Sequence, residues 1–178
     1  MLFKNTRERF GIVTIFIHWV MALLLIVLTI IGLYMVNIPI SAQKLKLFGW
    51  HKELGLLALF LVMFRIVWRL GNILPSLDSL NIFERFAAKT VHWLFYVFMF
   101  AIPITGWIVT SSAGLPASFF GLFVLPNIVA TNNDTLELFQ MIHMWLSYGL
   151  IALFCAHVGA ALKHHFINKD DILRRMLR

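Results

Sequence analysis

His143 and His157 lie fourteen residues apart in the last apolar stretch of a 178-residue chain. Fourteen residues are almost four helical turns. At about 100° per residue the two imidazoles face within roughly 40° of each other, about 21 Å apart along the axis. That is most of a hydrocarbon core about 30 Å thick. Ionisable groups inside a membrane are costly and usually functional. Imidazole is an axial ligand of haem iron, and this spacing predicts two haems, one near each face of a bilayer.

Five of the seven histidines fall in or at the ends of apolar segments: His18, His51, His92, His143 and His157. The segments cover residues 12–36, 50–68, 90–110 and 136–162. Each has about 20 residues or more, enough to span with some tilt. As the chain crosses back and forth, His18 and His157 fall at one depth, and His51 and His143 at the other. Each pair comes from two different helices, as ligation across a flat macrocycle requires, and a bundle core between facing helices accommodates such a group.

The same interval recurs on the other helices. His18 plus fourteen is Gly32, His92 plus fourteen is Gly106, and His51 plus fourteen is Arg65. Gly32 and Gly106 are predicted beside His51 and His143, where glycine admits a large planar group or another helix. Arg65 is predicted beside His18 and His157 as a propionate partner, with Arg69 one turn further on. The plainer reading of both arginines is anchoring at the membrane edge. His92 lies at the level of His18 without a depth partner of its own. It reads as a packing contact, a spare ligand, a propionate contact or a proton carrier for a quinone. Lys163, His164 and His165 form a basic turn beyond the fourth segment. His164 and Lys163 are placed to contact propionates or relay protons, or simply to form a solvated helix end.

Composition sets the setting. The chain is 61% hydrophobic and 13% charged, against about 45–50% and about 25% in soluble domains. This predicts an all-α integral membrane four-helix bundle, residues 1–178 forming a single domain. The net charge of +7 does not predict nucleic-acid binding, because the basic residues punctuate the ends of apolar runs. Lys4, Arg7, Arg9, Arg65, Arg69, Arg85, Lys89, Lys163, Lys169, Arg174, Arg175 and Arg178 fall on one side. Lys44, Lys46 and Lys52 fall on the other. The positive-inside rule then makes both termini cytoplasmic. The N-terminus is not read as a cleavable signal, since its apolar stretch is too long. Cys155 is the only cysteine, which excludes an intrachain disulfide and covalent haem through Cys-x-x-Cys-His.

The connections carry weaker signals. The loop 111–135 has no Lys or Arg and is predicted outside, with the apolar stretch 118–125 lying on the interface or covering the bundle. Asp134 and Glu137 suggest a capping box for the fourth helix. Residues 169–178 suggest a short amphipathic tail helix, capped by Asn168 and Asp171, with Ile172, Leu173, Met176 and Leu177 toward lipid and basic residues at the headgroups. Trp19, Trp50, Trp93 and Trp145 beside histidines read as interfacial anchors and packing. Pro103 is predicted to kink the third helix near Gly106.

These residues resemble the bacterial cytochrome b561 family, related to the cytochrome b subunits of Ni-Fe hydrogenases and formate dehydrogenases. The resemblance rests on Phe16-Ile17-His18-Trp19, on His51 with Arg65-Ile-Val-Trp-Arg69, on His92 leading to Pro103 and Gly106, and on His143 through His157 to Lys163–Asp170. It covers nearly the whole chain. It implies a four-helix bundle holding two haem b groups, with ligands matching His18, His51, His143 and His157. It also implies electron transfer with quinone as substrate, in the bacterial inner membrane and its respiratory chain. Some members are superoxide:ubiquinone oxidoreductases; others anchor a larger enzyme or serve a periplasmic redox partner. The lack of extra segments favours a stand-alone cytochrome, and Lys44, Lys46 and Lys52 offer only a thin positive surface for superoxide. A histidine-based metal or proton transporter fits less well, because transport sites gather near the midplane.

Overall fold

In the computed structural model, residues 3–78 and 80–177 are described. The chain forms α1 (Ile12–Asn37), α2 (Ala42–Leu70), α3 (Ile82–Ser112), a hairpin of β1 (Ala117–Phe119) and β2 (Phe123–Leu125), and α4 (Asn133–Lys163). Among the described residues, α1, α3 and α4 with its continuation to Asn168 are long and apolar enough to cross a membrane. Four such spans are predicted from the sequence; α2 is as long as the others but is not among these three. It carries Lys44, Lys46, Lys52 and Glu53 in its first half and Arg65 and Arg69 in its last turns.

The helices run further than the apolar segments, because polar caps lie beyond them. Ser41 accepts from the Lys44 amide, and Asn81 from that of Glu84. The fourth helix corrects one expectation. Its cap is Asn132, whose side chain accepts from the Thr135 amide at 2.8 Å, and Asp134 lies in the first turn instead. An Asx side chain before the helix satisfies the free amides that the predicted box of Asp134 and Glu137 would have met.

The packed interior belongs to the first three helices. Ile17 and Met21 meet Leu59, Val62 and Met99, and a second cluster joins Leu24, Leu28 and Ala58. α1 packs on α2, α2 on α3 and α3 on α4. Among the described residues, α4 scarcely approaches α1 or α2 by backbone, and Leu150 is its one buried side chain.

The two ends of the bundle differ. At the hairpin end, Phe120 and Gly121 both take positive φ, and the Leu122 amide donates to Phe119 O at 2.9 Å. Two left-handed residues are what a tight type I′ connection demands. Lys52 Nζ donates to Pro116 O at 2.7 Å, and Phe119 and Phe123 meet Phe60. The apolar stretch therefore covers α2. At the terminal end, no amphipathic tail helix forms among the described residues. α4 widens into a π-helical turn (His164–Asn168), Lys169 turns left-handed, and a 3₁₀ turn follows at Arg174–Met176. Trp19 Nε1 donates to Met176 O at 2.8 Å and Arg175 to Ser76 O at 2.8 Å. These tertiary bonds fold the tail across α1 and the α2–α3 connection, which half-buries Ile172, Leu173 and Met176. Asn168 and Asp171 cap no helix there, and Arg178 lies outside the described residues.

Candidate functional site

Two imidazole pairs face each other across the bundle. His18 of α1 and His157 of α4 have ring centroids 6.3 Å apart, tilted by 60°. His51 of α2 and His143 of α4 have centroids 6.3 Å apart, tilted by 80°. The depth arithmetic from the sequence thus lands on the spatial pairs. α4 supplies one imidazole to each because its four turns between residues 143 and 157 are regular helix.

At the hairpin end, glycines make the close approach. A Cβ on Gly32 would lie 3.2 Å from His51 Cε1, and one on Gly106 would lie 3.2 Å from His143 Cε1. Any side chain there would press on an imidazole. His143 Nδ1 lies 3.0 Å from Ile102 O and 3.0 Å from Thr105 Oγ1. His51 Nδ1 is buried without a hydrogen-bond partner.

The terminal end is more crowded and more charged. His92 of α3 comes within 5.9 Å of the His157 ring, and Phe95 within 5.3 Å. His157 therefore has two imidazole neighbours, His18 and His92. Arg65 Nη2 lies 3.4 Å from His18 Nδ1, and its Nε donates to Tyr96 Oη at 3.3 Å. Arg65 and Arg69 both sit over the Tyr96 ring, at 5.9 and 5.4 Å from its centroid. A guanidinium only donates, so in this contact His18 Nδ1 accepts.

Lys163 and His164 are engaged elsewhere. Lys163 Nζ donates to Glu84 Oε1 at 3.0 Å, a contact that holds the Glu84 carboxyl below its ordinary value. His164, 8% exposed, lies with Nδ1 2.6 Å from Asp170 Oδ2. These bonds fasten α3, α4 and the tail together, with His164 buried and Lys163 still exposed. His165 is half-buried, its Nδ1 unpartnered.

Sequence reasoning missed Tyr96 and Thr105. Tyr96 lies one turn after His92, and Thr105 stands between Pro103 and Gly106; those intervals are the signals that would have flagged them.

Fold and site together define a helical membrane protein with paired histidines at two levels. The family model described as prokaryotic cytochrome b561 matches residues 9–178. Cytochrome b561 homolog 2 of Escherichia coli (strain K12) is 34% identical over 99% of this chain and 95% of its own length. Cytochrome b561 homolog 1 of the same organism is 30% identical, over 96% and 97%. A Yersinia pestis protein named probable superoxide oxidase CybB is 30% identical, also over 96% and 97%. The chain belongs to the prokaryotic cytochrome b561 family. It is a bacterial membrane cytochrome of the b type, with a role in electron transfer.

The residues present fit a b-type haem. A metal–imidazole bond of about 2 Å on each side of one iron, plus the ring radii, gives centroids about 6 Å apart. Both pairs have that separation. Among the described residues, no group of three or more His, Cys, Asp or Glu is arranged to hold a bare metal ion. Two imidazoles suit a macrocycle that supplies the remaining ligands in its own plane. α4 also stands off from α1 and α2, the helices that carry the opposing histidines.

Proposed function

We propose that this cytochrome holds two haem b groups and moves electrons across the inner membrane, between a periplasmic-side donor or acceptor and the quinone pool. In this reading all four helices span, α2 included, and both termini are cytoplasmic. The polar ends of α2 then lie at the two interfaces, where long cationic side chains reach the headgroups. The observation that carries the proposal is the pair of facing imidazole couples, each with 6.3 Å between centroids. When bound, haem supplies reversible one-electron chemistry, which a polypeptide lacks.

The chain's own residues do the rest. His51 and His143 would hold the haem toward the periplasm, and His18 and His157 the one toward the cytoplasm. His18 is preferred to His92 as the partner of His157 because α3 packs directly on α4, whereas α1 stands away from it. Gly32 and Gly106 keep the imidazoles of the outer pair free of a pressing side chain. Arg65 and Arg69 would pair with haem carboxylates, and with Arg65 turned to a carboxylate His18 Nδ1 could carry the proton and leave Nε2 for the iron. His92, set among His157, Phe95 and the arginines, is a neighbouring polar group at this level, available to a quinone.

The name of the Yersinia relative supports superoxide as the outer donor. Lys44, Lys46 and Lys52 have neutral partners, Ile38 O, the Trp50 ring and Pro116 O, and so keep their charge, but three cations make only a thin positive surface for such an anion.

Reduced-minus-oxidised spectra with haem extraction test the proposal. Two haems per chain are expected, falling to one in His143→Ala and to a different one in His157→Ala. A colourless protein from haem-replete cells would sink the reading. Loss of the same haem in both variants would overturn the pairing. Full haem content in His18→Ala, with loss in His92→Ala, would transfer the ligand role to His92.

A further inference from the structure

We infer that Thr105 is a positioning residue for His143, sharing with the Ile102 carbonyl the proton on its Nδ1 and so tuning how basic the other nitrogen is. The inference rests on the assignment of His51 and His143 as an axial pair. Thr105 is 7% exposed, within α3, two residues after Pro103. Its hydroxyl donates to Ile102 O at 2.8 Å. With that proton committed, its oxygen lone pairs are left for the imidazole 3.0 Å away. The Ile102 carbonyl, which can only accept, lies 3.0 Å from the same nitrogen. His143 Nδ1 therefore carries the proton and donates, shared between two acceptors. Nε2 is then the unprotonated nitrogen, the form a metal requires.

The neighbouring glycine makes this arrangement possible. Gly106 leaves the imidazole room to reach into α3, since a Cβ there would come within 3.2 Å of its Cε1. Among the described residues, no side-chain hydroxyl is hydrogen-bonded to His51. A donated Nδ1–H raises the basicity of the opposite nitrogen. A more basic ligand favours the oxidised, more positive iron and lowers its potential.

Potentiometric titration of the purified holoprotein, read by visible spectra and by the low-spin ferric electron paramagnetic resonance signal, tests the role. Thr105→Ala is expected to raise the midpoint of the haem that His51→Ala lacks, and to leave the other in place. Thr105→Ser is expected to restore the wild-type midpoint, which a purely structural role for the residue would not predict. An unchanged midpoint in Thr105→Ala, an equal shift of both haems, or failure of Thr105→Ser to restore it overturns the inference. Wild-type haem content in both His51→Ala and His143→Ala overturns the axial assignment itself, a result distinguishable from the others.

Discussion

The two ends of this bundle hold equivalent imidazole pairs in opposite surroundings. At the hairpin end the pair is flanked by glycines, a hydroxyl and a backbone carbonyl, all uncharged groups. At the terminal end the pair is surrounded by Arg65, Arg69, Tyr96 and a third imidazole. Beyond it, Lys163, Glu84, His164 and Asp170 tie down the tail. The difference teaches that one motif, an imidazole pair across a bundle, is adjusted by shape at one level and by charge at the other. Shape limits how closely helices approach a ligand, whereas charge shifts the energy of whatever charge the ligand bears.

The largest test of that contrast is steric. Gly32→Leu or Gly106→Leu should abolish haem binding at the hairpin end and leave the terminal haem, as read by haem content and spectra. Loss of both haems in these variants would mean that the glycines serve general helix packing. Gly106→Ala, which forces His143 to give by a few tenths of an ångström, should cost about 1–3 kcal/mol of stability. Next is the charge. Arg65→Met should weaken haem retention at the terminal end about 10–100-fold, the usual effect of losing a group that orients a ligand. Arg65→Lys should rescue only part of it, since an ammonium lacks the planar fork. Equal weakening at both ends would erase the distinction.

Smaller effects probe the connections. Asn132→Ala should cost about 1 kcal/mol through loss of the α4 cap, measured by thermal unfolding in detergent, without moving either haem spectrum. The smallest effect concerns Glu84, whose carboxyl is held below its ordinary value by the Lys163 hydrogen bond. A depressed carboxyl pKa stabilises the fold above its unfolded value and loses that contribution as the pH falls through the folded value. Glu84→Gln should therefore loosen the tail at pH 7, seen as faster amide exchange near residues 170–177, and match the wild type in acid. Tail exchange unchanged at pH 7 would remove Glu84 from the joint.

The histidine levels were legible because helical geometry is periodic and a span has a fixed length. Residues 143 and 157 had to share a face, and Gly32, Arg65 and Gly106 followed by the same interval. The basic residues marked the ends for the same reason. The connections were less legible. Asn132 competes with Asp134 as a cap, and only the conformation of the preceding loop selects between them. The tail carried an amphipathic pattern, yet bonds from Trp19 and Ser76 to residues 157 and 99 positions away override it. His92 had no depth partner on paper because three histidines share its level and pairing leaves one over. The structure gives it His157 as a neighbour.

What the sequence determined by itself is axial order: which groups share a depth, which face of α4 carries imidazole, and where polar ends must stop. Local periodicity and the cost of burying charge in hydrocarbon decide those matters without knowledge of neighbours. The tertiary structure alone decided lateral order: how closely α1 and α2 approach α4 across their imidazoles, that Thr105 reaches His143, and that Tyr96 lies beneath two arginines. Lateral order depends on helix rotation and separation. Those are set by the summed packing of Ile17, Met21, Leu59, Val62 and Met99, side chains far apart in the chain.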